Sequence, residues 1–384
     1  MKIFHTADWH LGKLVQGVYM TEDQAYILDQ FIQAIIEEQP DVIIIAGDLY
    51  DRAVPPTEAV HLLNEVLNKI VLELKIPVIA IAGNHDSPSR LQFASGILKQ
   101  KGLHLVGQLL SEIEPVVLQD EYGEVHFHLV PYADPSLVRN YYQDEAIKTH
   151  DDAAKKIVES IKEKKDPSAR HVYVGHAFIT PTGEEAENTS DSERPLSIGG
   201  AEHVSARYFL EFDYVAFGHL HQAHHVLAEH IRYAGSPMKY SISEGNHKKG
   251  FYIIEMDGEG ACQIEKRLLT PKRDMRRVEA MMEDLLTHPI NEDYVFVTLL
   301  DQTPMLSPME KIRSVYPNVM HVERKNTFVK LQDGEKESIH RSKLTDFELF
   351  EAFYKEVKGV EATEETTEVF KDILEEILKD ENND

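Results

Sequence analysis

"DVIIIAGDLYDR" (41–52) sets the reading of the whole chain. Val42, Ile43, Ile44, Ile45 and Ala46 form an unbroken apolar, β-branched run that ends on Gly47 and Asp48. A strand wetted on one side would alternate polar with apolar residues. An unbroken run predicts a strand covered on both faces, as in parallel sheets. "KIFHTAD" (2–8) and "PVIAIAGN" (77–84) repeat the pattern and end on Asp8 and Asn84. Helical patterns separate the three: "EDQAYILDQFIQAIIEEQ" (22–39), with Ile27, Phe31 and Ile35 on one face, and "TEAVHLLNEVLNKIVLEL" (57–74). The alternation predicts an α/β fold built on a largely parallel sheet. In such sheets ligands collect at the carboxyl ends of strands, which is where Asp8, Asp48 and Asn84 fall.

A second series of strands follows: "GEVHFHLVPY" (123–132), "RHVYVGHA" (170–177), "FDYVAFGHLH" (212–221), "HIRYAGSP" (230–237) and "KGFYIIEMD" (249–257). The polar stretch "TPTGEEAENTSDSERPLSIGG" (180–200), rich in Gly, Pro and Ser, reads as a loop. A boundary is expected at "LLTPKRDMRR" (268–277), giving a domain over 1–270 and a small mixed α/β cap over 271–334. Residues 335–384 then supply a polar linker over 335–343 and two amphipathic helical patterns. One passes through Phe347, Phe350, Tyr354 and Val357, the other through Phe370, Ile373, Leu374, Ile377 and Leu378. Residues 341–384 carry 14 acidic against 6 basic residues. Such stripes ordinarily pack on their own domain, but an acidic pair after a polar linker suits docking to a protein better than binding DNA.

The 384 residues exceed one small core, and 42% apolar with 28% charged residues describe an ordinary globular protein. No apolar run is long enough to span a bilayer. His5, Asp8 and His10 interrupt the first ten residues, which excludes a secretory apolar region. Cys262 is the single cysteine, so neither an intramolecular disulfide nor a thiolate metal cluster is available, and a cytoplasmic location is expected. The net charge of −26 argues against coating phosphate backbones by bulk electrostatics. Bound divalent cations would still supply local positive charge to a phosphate.

"FGHLHQ" (217–222) places His219 and His221 two apart beyond a strand, and it has company. "ADWH" supplies Asp8 and His10, "AGDLYDR" Asp48 and Asp51, "AGNHD" Asn84, His85 and Asp86, and "VGHA" His176. All five segments lie just past a predicted strand, and four have glycine before the first polar residue, expected to let the backbone turn sharply there. Carboxylate, amide oxygen and imidazole are ligands for manganese, iron or zinc. Asp8, His10, Asp48, Asn84, His176, His219 and His221 are too many for one tetrahedral site. Two ions sharing a carboxylate, typically ~3.5–4 Å apart, would use them to drive in-line displacement at phosphorus.

The order D-x-H, G-D-x-x-D, G-N-H-[DE], H and G-H-x-H over residues 3–222 resembles the calcineurin-like metallophosphoesterase superfamily. Within it, "HTADWHLGK", "AGDLYDR", "AGNHDSPSRL", "FGHLHQ" and "YAGSPMKYSISE" are similar to the SbcD family of bacterial nuclease subunits. The resemblance implies a β-sandwich flanked by helices, with a small α/β cap and C-terminal helices that grip the coiled coil of an SMC-like ATPase, SbcC. It implies one metal held by Asp8, His10 and His221, a second by Asn84, His176 and His219, and Asp48 bridging both. His85 would contact the substrate phosphate and protonate the leaving oxygen, with Asp51 orienting it.

The implied cofactor is a pair of divalent ions, manganese foremost. The implied activities are a 3′-to-5′ exonuclease on duplex DNA, ATP-dependent through the partner, and an endonuclease on single strands and hairpins. They would serve recombination, replication and repair, within a homodimer inside a heterotetramer. The chain itself lacks a G-x-x-x-x-G-K-[ST] sequence. A metallophosphatase or cyclic-nucleotide phosphodiesterase would share every ligand, but the cap and the acidic tail favour the nuclease. A non-catalytic scaffold on DNA would not need His85 beside seven ligands.

Other residues take plainer readings. Asp86 shapes its turn and Trp9 packs, while His5, His203, His224 and His225 are satisfied at the surface or in the core. Arg52, Arg90 and Lys239 either meet DNA phosphates or are solvated charge.

Overall fold

The computed structural model describes residues 1–110, 112–183, 193, 202–301, 303, 305–325, 347, 350–351, 353–355 and 360–381. Two six-stranded sheets dominate. The first holds β1 (Lys2–Thr6), β2 (Val42–Ile45), β3 (Val78–Ile81) and β4 (Leu103–Val106) in that parallel order. Beyond β1 it continues antiparallel into Gly250–Met256 and Cys262–Leu268. The second centres on the parallel strands Gly123–Val130, Arg170–His176, Tyr214–Gly218 and Ala228–Tyr233, with antiparallel edges Val116–Asp120 and His224–Val226.

The unbroken apolar runs are explained by two cores. Val42, Ile44 and Ala46 face a core shared with Val172, Val174 and Ala216 of the second sheet. Ile43 and Ile45 point the other way, into a core with helix α1 (Thr21–Glu38) and helix α2 (Thr57–Leu67). Successive strand residues alternate faces, so a strand between two cores must be apolar throughout. The sheet is covered on both sides as expected, by helices on one face and by a second sheet on the other. Ile27, Phe31 and Ile35 of α1 are buried, and the Phe31 ring meets Phe251 at 4.8 Å. Burying one such ring contributes roughly 1.5–3 kcal/mol.

The chain divides into two compact units, Met1–Val297 with Met305–Val322, and Thr298–Pro304 with Glu323–Asp384. The strands expected in the cap form a three-stranded sheet, Met275–Ala280, Tyr294–Leu299 and Val319–Arg324 in that order. Its Met275, Tyr294 and Met320 join the core beneath α1, and Arg273 and Tyr294 both bond Asp23 of α1 at 2.8 Å. Residue 270 therefore lies within one packed unit. In the second unit Phe350 stacks on Phe370 at 3.9 Å, so part of the tail's apolar surface pairs within the tail. Phe353, Val360, Val369 and Ile373 remain exposed. The linker expected over 335–343 and Val357 lie outside the described residues, as do the side chains of Ile377 and Leu378 and most of the loop expected over 180–200.

Candidate metal centre

Four of the expected ligands sit in backbone conformations that L-residues rarely adopt: Asp8 at φ 54°, His10 at 45°, Asp48 at 53° and His219 at 108°. Strained backbone persists where the surroundings over-determine it, and it gathers at functional sites. The turn is thus made by the ligands themselves. Two of the glycines that precede ligands serve a different end from the one expected. Only Gly47 has positive φ, 92°; a Cβ on Gly83 would lie 2.2 Å from Asp48 Oδ1, and one on Gly218 2.0 Å from the Ala46 carbonyl oxygen. Gly83 and Gly218 are there because two strand ends approach too closely for any side chain.

Three clusters of ligand-type atoms result: Asp8, His10 and His221; Asp8, Asp48 and His176; and His10, Asp51 and His85. Asp48 Oδ2 lies 3.6 Å from His10 Nε2 and 3.4 Å from His176 Nε2, between the two imidazoles. His10 Nε2 and His221 Nε2 are 3.0 Å apart, as are His176 Nε2 and Asn84 Oδ1. The structure therefore gathers six of the seven expected ligands through side-chain atoms. His219 enters differently: its backbone N–H donates to Asp8 Oδ1 at 2.9 Å, and its ring lies edge-on to His176 at 5.5 Å. Asp8, expected at one ion only, belongs to both of the buried clusters.

His85 stands beside the clusters, with its ring 4.6 Å from that of His10. Its backbone N–H donates to Asp48 Oδ1 at 2.9 Å, and its Nδ1–H donates to the backbone carbonyl of Asp51 at 2.8 Å. Asp51 thus holds His85, but through its main chain. The Asp51 carboxylate instead meets Lys13 at 2.8 Å and lies 3.7 Å from His10.

Asp86 accepts from the N–H groups of Leu49, Tyr50 and Gly83, which is the turn-shaping role expected of it. Trp9 is buried and donates to Thr6, and His5 is buried with its Nδ1 2.9 Å from the Tyr214 hydroxyl. Lys239 is tied to Asp274 and to the carbonyls of Gly245 and Met275. Sequence reasoning missed Gln24, whose amide donates to the carbonyls of Trp9 and His10, and the buried pair Glu244 and Lys249 behind His221. Glu244 lay inside the quoted "YAGSPMKYSISE", with no spacing to mark it.

The family model for calcineurin-like phosphoesterases matches residues 1–223. The chain belongs to that family. Members use divalent metals, and this phosphoesterase is a hydrolase of phosphate esters. A second family model, the type 5 capsule protein repressor C-terminal domain, matches residues 271–358. The phosphoesterase is 36% identical over 383 residues to the SbcD subunit of the nuclease SbcCD from Staphylococcus epidermidis, covering 98% of this chain and 99% of that one. It is also similar to two solved structures. A Thermus thermophilus protein has a TM-score of 0.39 at 12% identity, over 69% of this chain and 98% of that one. A dimetal phosphatase from Danio rerio has 0.40 at 10%, over 70% and 96%.

The charges of the phosphoesterase site fit divalent cations. Asp8 Oδ2 and His10 Nδ1 are buried with no hydrogen-bond partner among the described residues. Burial pushes the Asp8 carboxyl up to about 7, with Asp48 adding to the rise and His176 and His221 opposing it. Burial also acts to raise Asp48, but the neighbouring His176, His10 and His85 outweigh it and hold that carboxyl well below the usual range. His176 is raised to about 9 against its own burial, chiefly by Asp48. Without a cation, protons must therefore offset the buried carboxylates. Metal ligands must shed such protons, so a divalent ion would replace them.

Proposed function

We propose that the chain is the two-metal DNA nuclease subunit of an SbcCD-type complex. The observation that carries the reading is the position of Asp48 between His10 and His176, with His85 fastened to the same carboxylate. Asp8, His10 and His221 would hold one ion and Asn84, His176 and His219 the other, with Asp48 shared. The donor set of oxygen and imidazole suits manganese. Divalent ions bound there supply Lewis-acid charge that makes water a better nucleophile and offsets charge growing on phosphate.

The chain's own residues do the rest. His85, with Nδ1–H committed to the Asp51 carbonyl, presents Nε2 to the leaving sugar oxygen and gives it a proton. Asp48 Oδ1 fixes the backbone of His85, so ligand and proton donor keep one geometry. Buried strand ends keep bulk water from competing with these contacts.

A nucleic-acid substrate is supported by the name of the Staphylococcus relative, a nuclease subunit that matches almost the whole chain, and DNA is the nucleic acid we propose. The finer activities are the exonuclease on duplex ends, driven 3′-to-5′ by an ATP-hydrolysing partner, and the endonuclease on single strands and hairpins. Residues 1–270 would form the nuclease, 271–334 the DNA-facing cap, and 335–384 the segment that docks on SbcC. The exposed apolar residues of the acidic tail support that docking. The assembly would be a homodimer within a heterotetramer, acting in the cytoplasm in recombination, replication and repair.

The test is the full chain with manganese, offered labelled hairpin DNA, nucleotide monoesters and cyclic nucleotides in parallel. Cleavage of the hairpin supports the reading. Hydrolysis of monoesters or cyclic nucleotides with DNA left intact would favour the small-molecule phosphoesterase instead.

A further inference from the structure

We infer that Glu244, clamped by Lys249, is the positioning residue for His221, and that it makes the two metal sites unequal in affinity. The inference rests on His221 being a metal ligand. Glu244 ends the single helical turn Ile242–Glu244 and is fully buried. Its Oε1 lies 3.0 Å from His221 Nδ1, and its Oε2 is paired with Lys249 Nζ at 2.5 Å. Lys249 also donates to the His221 carbonyl and to Ser236 Oγ, each at 2.8 Å. One buried lysine thus grips both the backbone of the ligand and the carboxylate behind its ring.

The consequence follows from imidazole chemistry. An acceptor at Nδ1 puts the proton there and leaves the lone pair on Nε2, the atom that faces His10 and the Asp8 cluster. A carboxylate in that role also makes the imidazole a better donor to a metal. His176 on the other side has the same device in weaker form, since its Nδ1–H donates to the neutral carbonyl of Ala46 at 2.9 Å. The site of Asp8, His10 and His221 should therefore bind its ion more tightly than the site of Asn84 and His176. A buried ion pair is costly to desolvate and is often no better for stability than an apolar pair of like volume. Its place behind one ligand is better explained by holding that ligand than by strengthening the fold.

The experiment titrates manganese alone into the metal-free full chain by calorimetry. Glu244→Leu combined with Lys249→Met removes the carboxylate without stranding a buried charge. The tighter of the two sites should weaken about 10–100-fold, the usual worth of such a partner, while the weaker site keeps its affinity. His221→Ala should abolish the tighter site altogether. If His221→Ala keeps both sites, the ligand assignment itself is wrong. If His221→Ala loses a site but the folded double variant keeps wild-type affinity at both, the positioning role alone is overturned. Nitrogen NMR of the unsubstituted, metal-free chain tests the same point with no change at Glu244, the His221 signal being the one absent from His221→Ala. The Nδ1–H tautomer is expected, and the Nε2–H tautomer would overturn the inference.

Discussion

Gly83→Ala should damage the reaction while leaving every ligand in the chain. The added Cβ would stand 2.2 Å from Asp48 Oδ1, 2.5 Å from Asp48 N and 2.7 Å from Asp48 Cγ. Ordinary contact begins at 3.4 Å, so Asp48 or the Gly83 backbone must retreat by about 1.2 Å. Neither can do so by rotating a flexible tip, because one of the atoms struck is main chain. Asp48 is held at φ 53°, and its Oδ1 also anchors the His85 N–H. A displacement of about 1 Å at a reacting centre costs roughly 10²-fold in rate, or about 2.7 kcal/mol of barrier. Overpacking of this kind also costs about 1–3 kcal/mol of stability. Hydrolysis of hairpin DNA in excess manganese, metal content and thermal unfolding would be measured together. Gly96→Ala is the control, since a Cβ there meets nothing within 4 Å. If Gly83→Ala matches the control in rate and metal content, the close approach does not set the site.

His85→Gln should still load two metals and lose about 10²–10⁴-fold in DNA cleavage, with a smaller loss on a nitrophenyl ester whose leaving oxygen needs no proton. Equal losses on both esters would remove the general-acid role. Asp51→Asn should cost less than His85→Gln, because the main-chain carbonyl that orients His85 survives the change; a loss as large would show that the carboxylate matters directly. Truncation after residue 340 should keep manganese-dependent cleavage of single strands and abolish co-purification with the SbcC ATPase, and retained binding would locate the docking elsewhere. Burial lowers His5 and His128 to about 3, so both stay neutral when folded, while an unfolded chain protonates them below about 6.5. In NMR of the folded chain the imidazole signals of His5 and His128 should therefore not titrate between pH 7 and 5, and a midpoint near 6.5 for either would contradict its burial as a neutral group.

The strands and their polar ends were legible because a strand between two cores carries an unmistakable apolar run, and its ligand follows directly. Val42–Ala46 and Asp48 show this plainly. The strand Cys262–Leu268 was missed because its "CQIEKRL" has no fully buried residue and reads as surface. The glycines were noticed but misjudged. Sequence reveals that a side chain is missing, yet not whether the backbone angle or a neighbour forbids one, and at Gly83 it is Asp48 that does. Glu244 and Lys249 were invisible for a related reason. They stand 23 and 28 residues from His221, and only the fold brings them behind its ring. The role of Asp51 was half legible, since sequence cannot tell a carboxylate contact from one made by the same residue's carbonyl.

The central claim is a pair of ions shared through Asp48. Metal-free chain, titrated with manganese and assayed on hairpin DNA after each addition, tests it most directly. The account predicts no cleavage without metal, activity that rises only as the second equivalent binds, and none in a folded Asp48→Ala chain at any manganese concentration. Full cleavage at one equivalent, or in Asp48→Ala, would contradict it.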